Sequence, residues 1–141
     1  MSNIIYPRSP REVMSGWVYL PRFVDKIRLH LAGKLHPDYQ ENFTKGFDSS
    51  WLKAAGISGE EMIQVVKNTI IDGEVADWVN KNIKRTVEEK KAHAEAVLNY
   101  GNNGDEALKA RLQKRKEQAG LGDRPGIDTF VDFIDADEKR L

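Results

Sequence analysis

The chain has no cysteine among its 141 residues, which excludes disulfides, thiolate metal sites and thiol nucleophiles. It has no net charge either, with 22 Lys and Arg balancing 22 Asp and Glu. A general nucleic-acid binder works by clustering cations against phosphates, and an even balance argues against one. No apolar run approaches the roughly 18 residues of a membrane span. The opening MSNIIYPRSPRE lacks the charged start and long apolar stretch of a signal peptide, so the expected location is cytoplasmic. The nucleophile elbow G-x-S-x-G, the P-loop, H-E-x-x-H and the dinucleotide fingerprint are all missing. His30 and His36 have no carboxylate at helical distance on the same face. No metal is therefore expected, and no cofactor.

What the chain does have is charge segregated by position. Residues 1–36 carry Arg8, Arg11, Arg22, Lys26, Arg28 and Lys34 against Glu12 and Asp25, a net of +4. Residues 123–138 carry Asp123, Asp128, Asp132, Asp135, Asp137 and Glu138 against Arg124, a net of −5. Two ends of opposite sign can dock on each other, dock on a second subunit, or face water.

The length suits one domain over residues 1–141, and no segment sustains the two-residue alternation of a half-buried strand. The pattern predicts an all-α fold, a compact single-domain bundle of about six to eight short helices. Residues 1–20 read as an extended lead-in followed by a short helix. Ser9-Pro10-Arg11-Glu12 has the form of a capping box, weakened further on by Ser15-Gly16. A central amphipathic helix is predicted over 21–34. Leu20, Phe23, Val24, Ile27 and Leu31 fall there in one arc about 100° wide.

Pro37 and Gly46 make 35–47 a loop with room for one helical turn. Asp48 is then expected to cap a short helix closed by Gly56. Ser58 and Glu61 open a helix to about Ile71, with Met62, Val65, Val66, Thr69 and Ile70 inward and Gly73 as its breaker. Helices over about 74–84, 86–100 and 105–119 follow, separated after Tyr100 by the turn Gly101-Asn102-Asn103-Gly104. An acidic C-terminal helix over 127–138 ends the pattern.

Chemistry is best sought in the first third. Arg22, Lys26, His30 and Lys34 follow one another at four-residue steps and form a slowly drifting cationic stripe. Arg8 and Arg11 converge on it if the chain folds back at Gly16. Arginine forks and helix-start amides suit a carboxylate or phosphate. His30 sits at the edge of the apolar arc, where an imidazole is readily tuned. Against this stands a wetted helix face with an Asp25–Arg28 pair, the ordinary fate of such charges.

Trp17, Tyr19, Phe23, Trp51 and Trp78 form either core or a stacking platform. Among these, Trp17 and Tyr19 have the better claim to exposure at a cleft. Loop groups from His36 to Lys45 make a second polar and aromatic set. Asp128, Asp132 and Asp135 share one side of the last helix, as a solvated face or a partner for the basic N-terminal segment. The helix holding KARLQKRK is cationic, but its glutamates and lack of an aromatic platform suit RNA poorly.

Several of these segments occur together in a recognisable series. P-R-S-P-R-E, L-P-R-x-x-D-K-x-R and L-A-G-K-L, with the closing DTFVDFIDADE, resemble the bacterial family named Domain of Unknown Function 5069, over essentially the whole chain. The resemblance implies a single bacterial domain and supplies no catalytic residues.

Three functional expectations follow. The first is a cytoplasmic binding module for a small anionic ligand, with Arg8, Arg11, Arg22 and Lys26 binding charge and His30 adding a hydrogen bond. The second is a small enzyme with His30 as acid or base, oriented by Asp25 or Asp48. The third is a protein–protein interaction or scaffold domain. Neither nucleic acid nor membrane is an expected partner, and a homo-oligomer is left open.

Overall fold

The computed structural model describes residues 4–141, so the first three residues of the expected extended lead-in lie outside it. It is a mostly helical single domain. A two-stranded hairpin, β1 (Val13–Met14) and β2 (Trp17–Val18), is followed by eight helices among the described residues. These are α1 (Leu20–Leu31), α2 (Pro37–Gln40), α3 (Phe47–Ala55), α4 (Gly59–Lys67), α5 (Asp72–Asn82), α6 (Val87–Leu98), α7 (Glu106–Gln118) and α8 (Phe130–Asp137). Among the described residues no helix is long and apolar enough to cross a membrane.

The short helix expected after Ser9 does not form. Ser9 makes a single turn, its carbonyl accepting the Glu12 amide and its hydroxyl the Arg11 amide. The chain then reverses through Ser15 and Gly16, both at positive φ (54° and 79°). A two-residue loop of that conformation matches the twist of paired strands. The antiparallel register sets Val13 opposite Val18 and Met14 opposite Trp17. The hairpin prevails over the capping box because it buries Trp17 completely, a large apolar gain that one capped turn does not offset.

α1 organises the core as its periodicity predicts, with Leu20, Phe23, Val24 and Ile27 all fully buried. Leu31, the last residue of the expected arc, is 42% exposed instead. The helix stops there in a Schellman arrangement: Lys34 donates to the Leu29 carbonyl and Gly33, at φ 70°, donates to His30. Around α1 the aromatic side chains meet edge to face. Trp17 and Trp51 centroids lie 5.9 Å apart, as do Phe23 and Trp51. Trp17, Tyr19, Phe23 and Trp51 are therefore core, and Trp78 packs partly buried against them.

Two further expectations are corrected. α4 opens with the Ser58–Glu61 capping box but ends at Lys67, so Ile70 leaves the helical register and is 85% exposed. Gly73 does not break a helix; it lies in the first turn of α5, where Glu74 reaches back to the Ile70 and Ile71 amides.

His93 of α6 is buried edge-on against Trp17, centroids 5.5 Å apart, and its Nε2 has no hydrogen-bond partner among the described residues. Burial holds the imidazole below its usual value of 6.5, against a smaller opposing effect of the Val18 backbone. The unfolded chain therefore takes up this proton first, and stability falls as pH drops below about 6.5. His93→Leu should flatten that part of the profile. The loss of urea midpoint between pH 7 and pH 5 should be smaller in the variant, and an equal loss would contradict this account.

Candidate functional site

The cations of the first third do not face a common hollow awaiting a ligand. Arg8, Arg11, Arg22 and Lys26 are each met by a carboxylate of the same chain. Arg22, 4% exposed on the inner side of α1, forms a two-pronged pair with Glu138, at 2.9 and 2.7 Å. It also donates to the Arg8 carbonyl at 3.1 Å and lies 5.6 Å above the Tyr39 ring. Glu138 accepts in addition from the Tyr39 hydroxyl at 2.8 Å and from Arg140 at 2.6 Å. Burial alone would raise the Glu138 carboxyl, but hydrogen bonds and charge from Arg22, with Tyr39 and Arg140, hold it below its usual value.

Arg8 grips Asp25 through both its backbone amide and its guanidinium, and reaches Asp72 at 2.8 Å. Arg11 pairs with Asp132 and Asp135 of α8. Ser9 donates to Asp135 at 3.0 Å, and Arg140 donates to the Pro7 carbonyl. The opposite charges of the two ends thus dock on each other within one molecule.

Lys26 enters the core, where its Nζ lies 2.9 Å from Asp48, which is fully buried. Burial holds this ammonium below its usual value despite the opposing pull of Asp48. Asp48 does not cap its helix. α3 starts two residues earlier than that cap requires, at Phe47 after Gly46, and the Asp48 side chain turns inward. One oxygen accepts the Tyr19 hydroxyl at 2.5 Å; the other accepts the Thr44 amide at 2.9 Å as well as Lys26. Burial, then the Asp48 charge, push the Tyr19 phenol well above its usual value.

Both residues that Asp48 tethers have left-handed backbones, Tyr19 at φ 78° and Thr44 at φ 65°. For an aromatic and a β-branched side chain that conformation costs energy. It persists only where the surroundings impose it, and such strain concentrates at functional sites. Little in the local sequence marks Asp48 for this role, because Tyr19, at the start of α1, and Lys26, within it, reach Asp48 only on folding.

Thr44 also lines a hollow of about 530 Å³ with His30, Phe43, Ser58, Gly59 and Ile63. His30, one turn beyond Lys26, is exposed and leans on Phe43, centroids 4.5 Å apart at 30°. Across the hollow stands the start of α4. Its Ser58 hydroxyl is taken by the Glu61 amide, while the Gly59 and Glu60 amides precede the first intrahelical bond and lack such a partner. Gly59 lets the two walls approach, since a Cβ there would lie 3.2 Å from the Thr44 methyl. Glu60 adds a negative charge at the rim.

Of the five residues singled out from the sequence, only His30 faces this space. Asp25 and Asp48 are engaged elsewhere, so neither orients its ring. His36 serves as a cap, its Nδ1 accepting the Asp38 amide at 3.1 Å. No group of three or more potential metal ligands occurs among the described residues.

The model of a family described as Domain of unknown function (DUF5069) matches residues 4–140. No curated protein matches the chain.

Proposed function

We propose that this chain, which belongs to the DUF5069 family, is a binding module for a small anionic ligand held in the hollow between α1, the α2–α3 loop and α4. The observation that carries the reading is the strained Thr44, tethered to the buried Asp48 and forming one wall opposite the α4 first turn. A carboxylate-sized group fits the Gly59 and Glu60 amides, which carry the partial positive charge of a helix start. His30 offers a hydrogen bond from the facing wall, and Phe43 offers an apolar surface to the rest of the ligand. The Lys26–Asp48 pair contributes by fixing the wall at Thr44, not by touching the ligand. The cytoplasmic location and bacterial source expected from the sequence belong to the same reading.

Titration of the ¹⁵N-labelled protein with benzoate, and separately with inorganic phosphate, tests it. Saturable amide shifts should centre on Thr44, Gly59 and Glu60. His30→Ala should weaken the response by about tenfold, the value of one charge-assisted hydrogen bond. Shifts scattered over the lysine-rich surface, or a His30→Ala response equal to that of the parent, would retire the proposal.

A further inference from the structure

We infer that the outward face of α7 docks an acidic helical segment of another protein, with Arg111 and Arg115 as its anchors. This helix takes no part in lining the hollow, so the two proposals stand or fall independently. Leu112 is the one buried residue of α7, which leaves most of the helix circumference in water. The helix carries Lys109, Arg111, Lys114, Arg115 and Lys116 against Glu106 and Glu117, a net of +3. Arg8, Arg11, Arg22 and Lys26 are consumed by carboxylates of the chain; the cations of α7 are not. Among the described residues none of the five lies in an ion pair. Lys116 alone has a side-chain hydrogen bond, to the Ile127 carbonyl at 3.4 Å.

The two signs are also separated around the helix. At about 100° per residue, Arg115, Arg111 and Lys114 fall about 60°, 100° and 160° round from Leu112 in one sense, and Glu106 and Glu117 about 120° and 140° in the other. Neither arginine has a carboxylate three or four residues away. Each instead meets the other at a four-residue step, a like-charge placement that destabilises a helix. The nearby carboxylates are occupied or lie elsewhere. Glu117 borders Lys114 but accepts from Gln113, at 3.3 Å. Asp105 caps the helix, accepting the Ala107 and Leu108 amides. Asp128 adjoins the Ile127 carbonyl that Lys116 reaches, and Lys116 falls about 40° round on the glutamate side. Asp123 and Arg124, in the link beyond, are one of each sign.

Charge and spacing identify the occupant. Two guanidinium forks about 6 Å apart along the axis suit carboxylates one turn apart on a facing helix. The fold uses the same pairing internally, where Arg11 takes Asp132 and Asp135, three residues apart on α8. Ala107 is exposed on the arginine side, which leaves room for such a helix to lie close. A phosphate backbone is the poorer match. α7 has no aromatic side chain on which bases could stack, and a chain without net charge exerts no long-range pull on a polyanion.

Fluorescence anisotropy of a labelled alanine-based helical peptide, with glutamates at four-residue steps, tests this on the full chain. Binding should saturate below about 1 mM at low salt and weaken as added salt screens it. Arg111→Gln with Arg115→Gln should weaken it by about tenfold, as for two exposed ion pairs. Lys53→Gln with Lys67→Gln, exposed cations of α3 and α4, should bind as the parent does. Circular dichroism should show both variants folded, as for surface changes, and Arg111→Gln alone serves should the arginine pair fail that check. No saturable binding, or an arginine variant that binds like the parent, overturns the inference. So does an equal loss in the lysine variant, or tighter binding of an RNA of the same charge as the peptide.

Discussion

Asp48→Ala is expected to lower stability by about 3–5 kcal/mol, because removing one member of a buried pair leaves the other charge uncompensated. Lys26 would be that orphan, 5% exposed with no other carboxylate bridged to it among the described residues. The Tyr19 hydroxyl and the Thr44 amide would lose their acceptor as well. For a domain of this size each kcal/mol corresponds to about 3–5 °C in melting temperature, so a fall of roughly 10–20 °C should be seen. Replacing both partners, Asp48→Leu with Lys26→Met, should recover much of the loss, since apolar isosteres often stand in for a buried pair at little cost. The double variant should nevertheless fail to bind in the hollow, because Thr44 has still lost the contact that imposes its left-handed backbone. A single Asp48→Ala variant within about 1 kcal/mol of the parent would mean that Lys26 escapes to water, and that Asp48 is no hub.

The second large effect is expected at Glu138. This carboxylate receives Arg22, Arg140 and Tyr39 and is 5% exposed. Glu138→Ala should again cost about 3–5 kcal/mol by stranding a buried guanidinium. In a cycle with Arg22→Met, the two single losses should exceed the double loss by about 2 kcal/mol or more, as for directly coupled groups. The pH dependence has a definite sign. The Glu138 carboxyl is held below its ordinary value of 4.5 in the folded state. Its contribution is therefore complete above about pH 4.5 and disappears as pH falls through the lower folded value. Urea midpoints from pH 6 to pH 3 should drop more steeply for the parent than for Glu138→Gln. Parallel curves would show that the pair contributes nothing to acid sensitivity.

Arg8, Arg11, Arg22 and Lys26 have the features of an anion site, and they do bind anions: those of Asp25, Asp72, Asp132, Asp135, Glu138 and Asp48. A charge pattern read along one helix records what a cation can grip but not whether the chain already supplies it. His30 differs from Arg22 and Lys26 in that it is exposed and its ring lies against Phe43 rather than on a carboxylate. Thr44, Ser58 and Gly59 carry no sequence signal of a ligand contact, since a threonine in a loop and a helix cap have ordinary local roles.

Several features decided within four residues were legible from the sequence alone, although the helix start at Ser9 and the cap at Asp48 were not among them. The Ser58–Glu61 box and the inward face of α1 as far as Ile27 formed as their spacing predicts, because each depends on local turns of backbone. The helical class followed from the same periodicities. Pairings across long separations did not, as with Arg22 and Glu138, 116 residues apart, or Tyr19 and Asp48, 29 apart. A side chain's partner in such cases is chosen by where the whole chain reverses, and a single glycine-assisted hairpin at Ser15-Gly16 redirects every later element. Local spacing thus determined which segments became helices, and only tertiary packing decided which charges were consumed inside and which side chains were left facing a hollow.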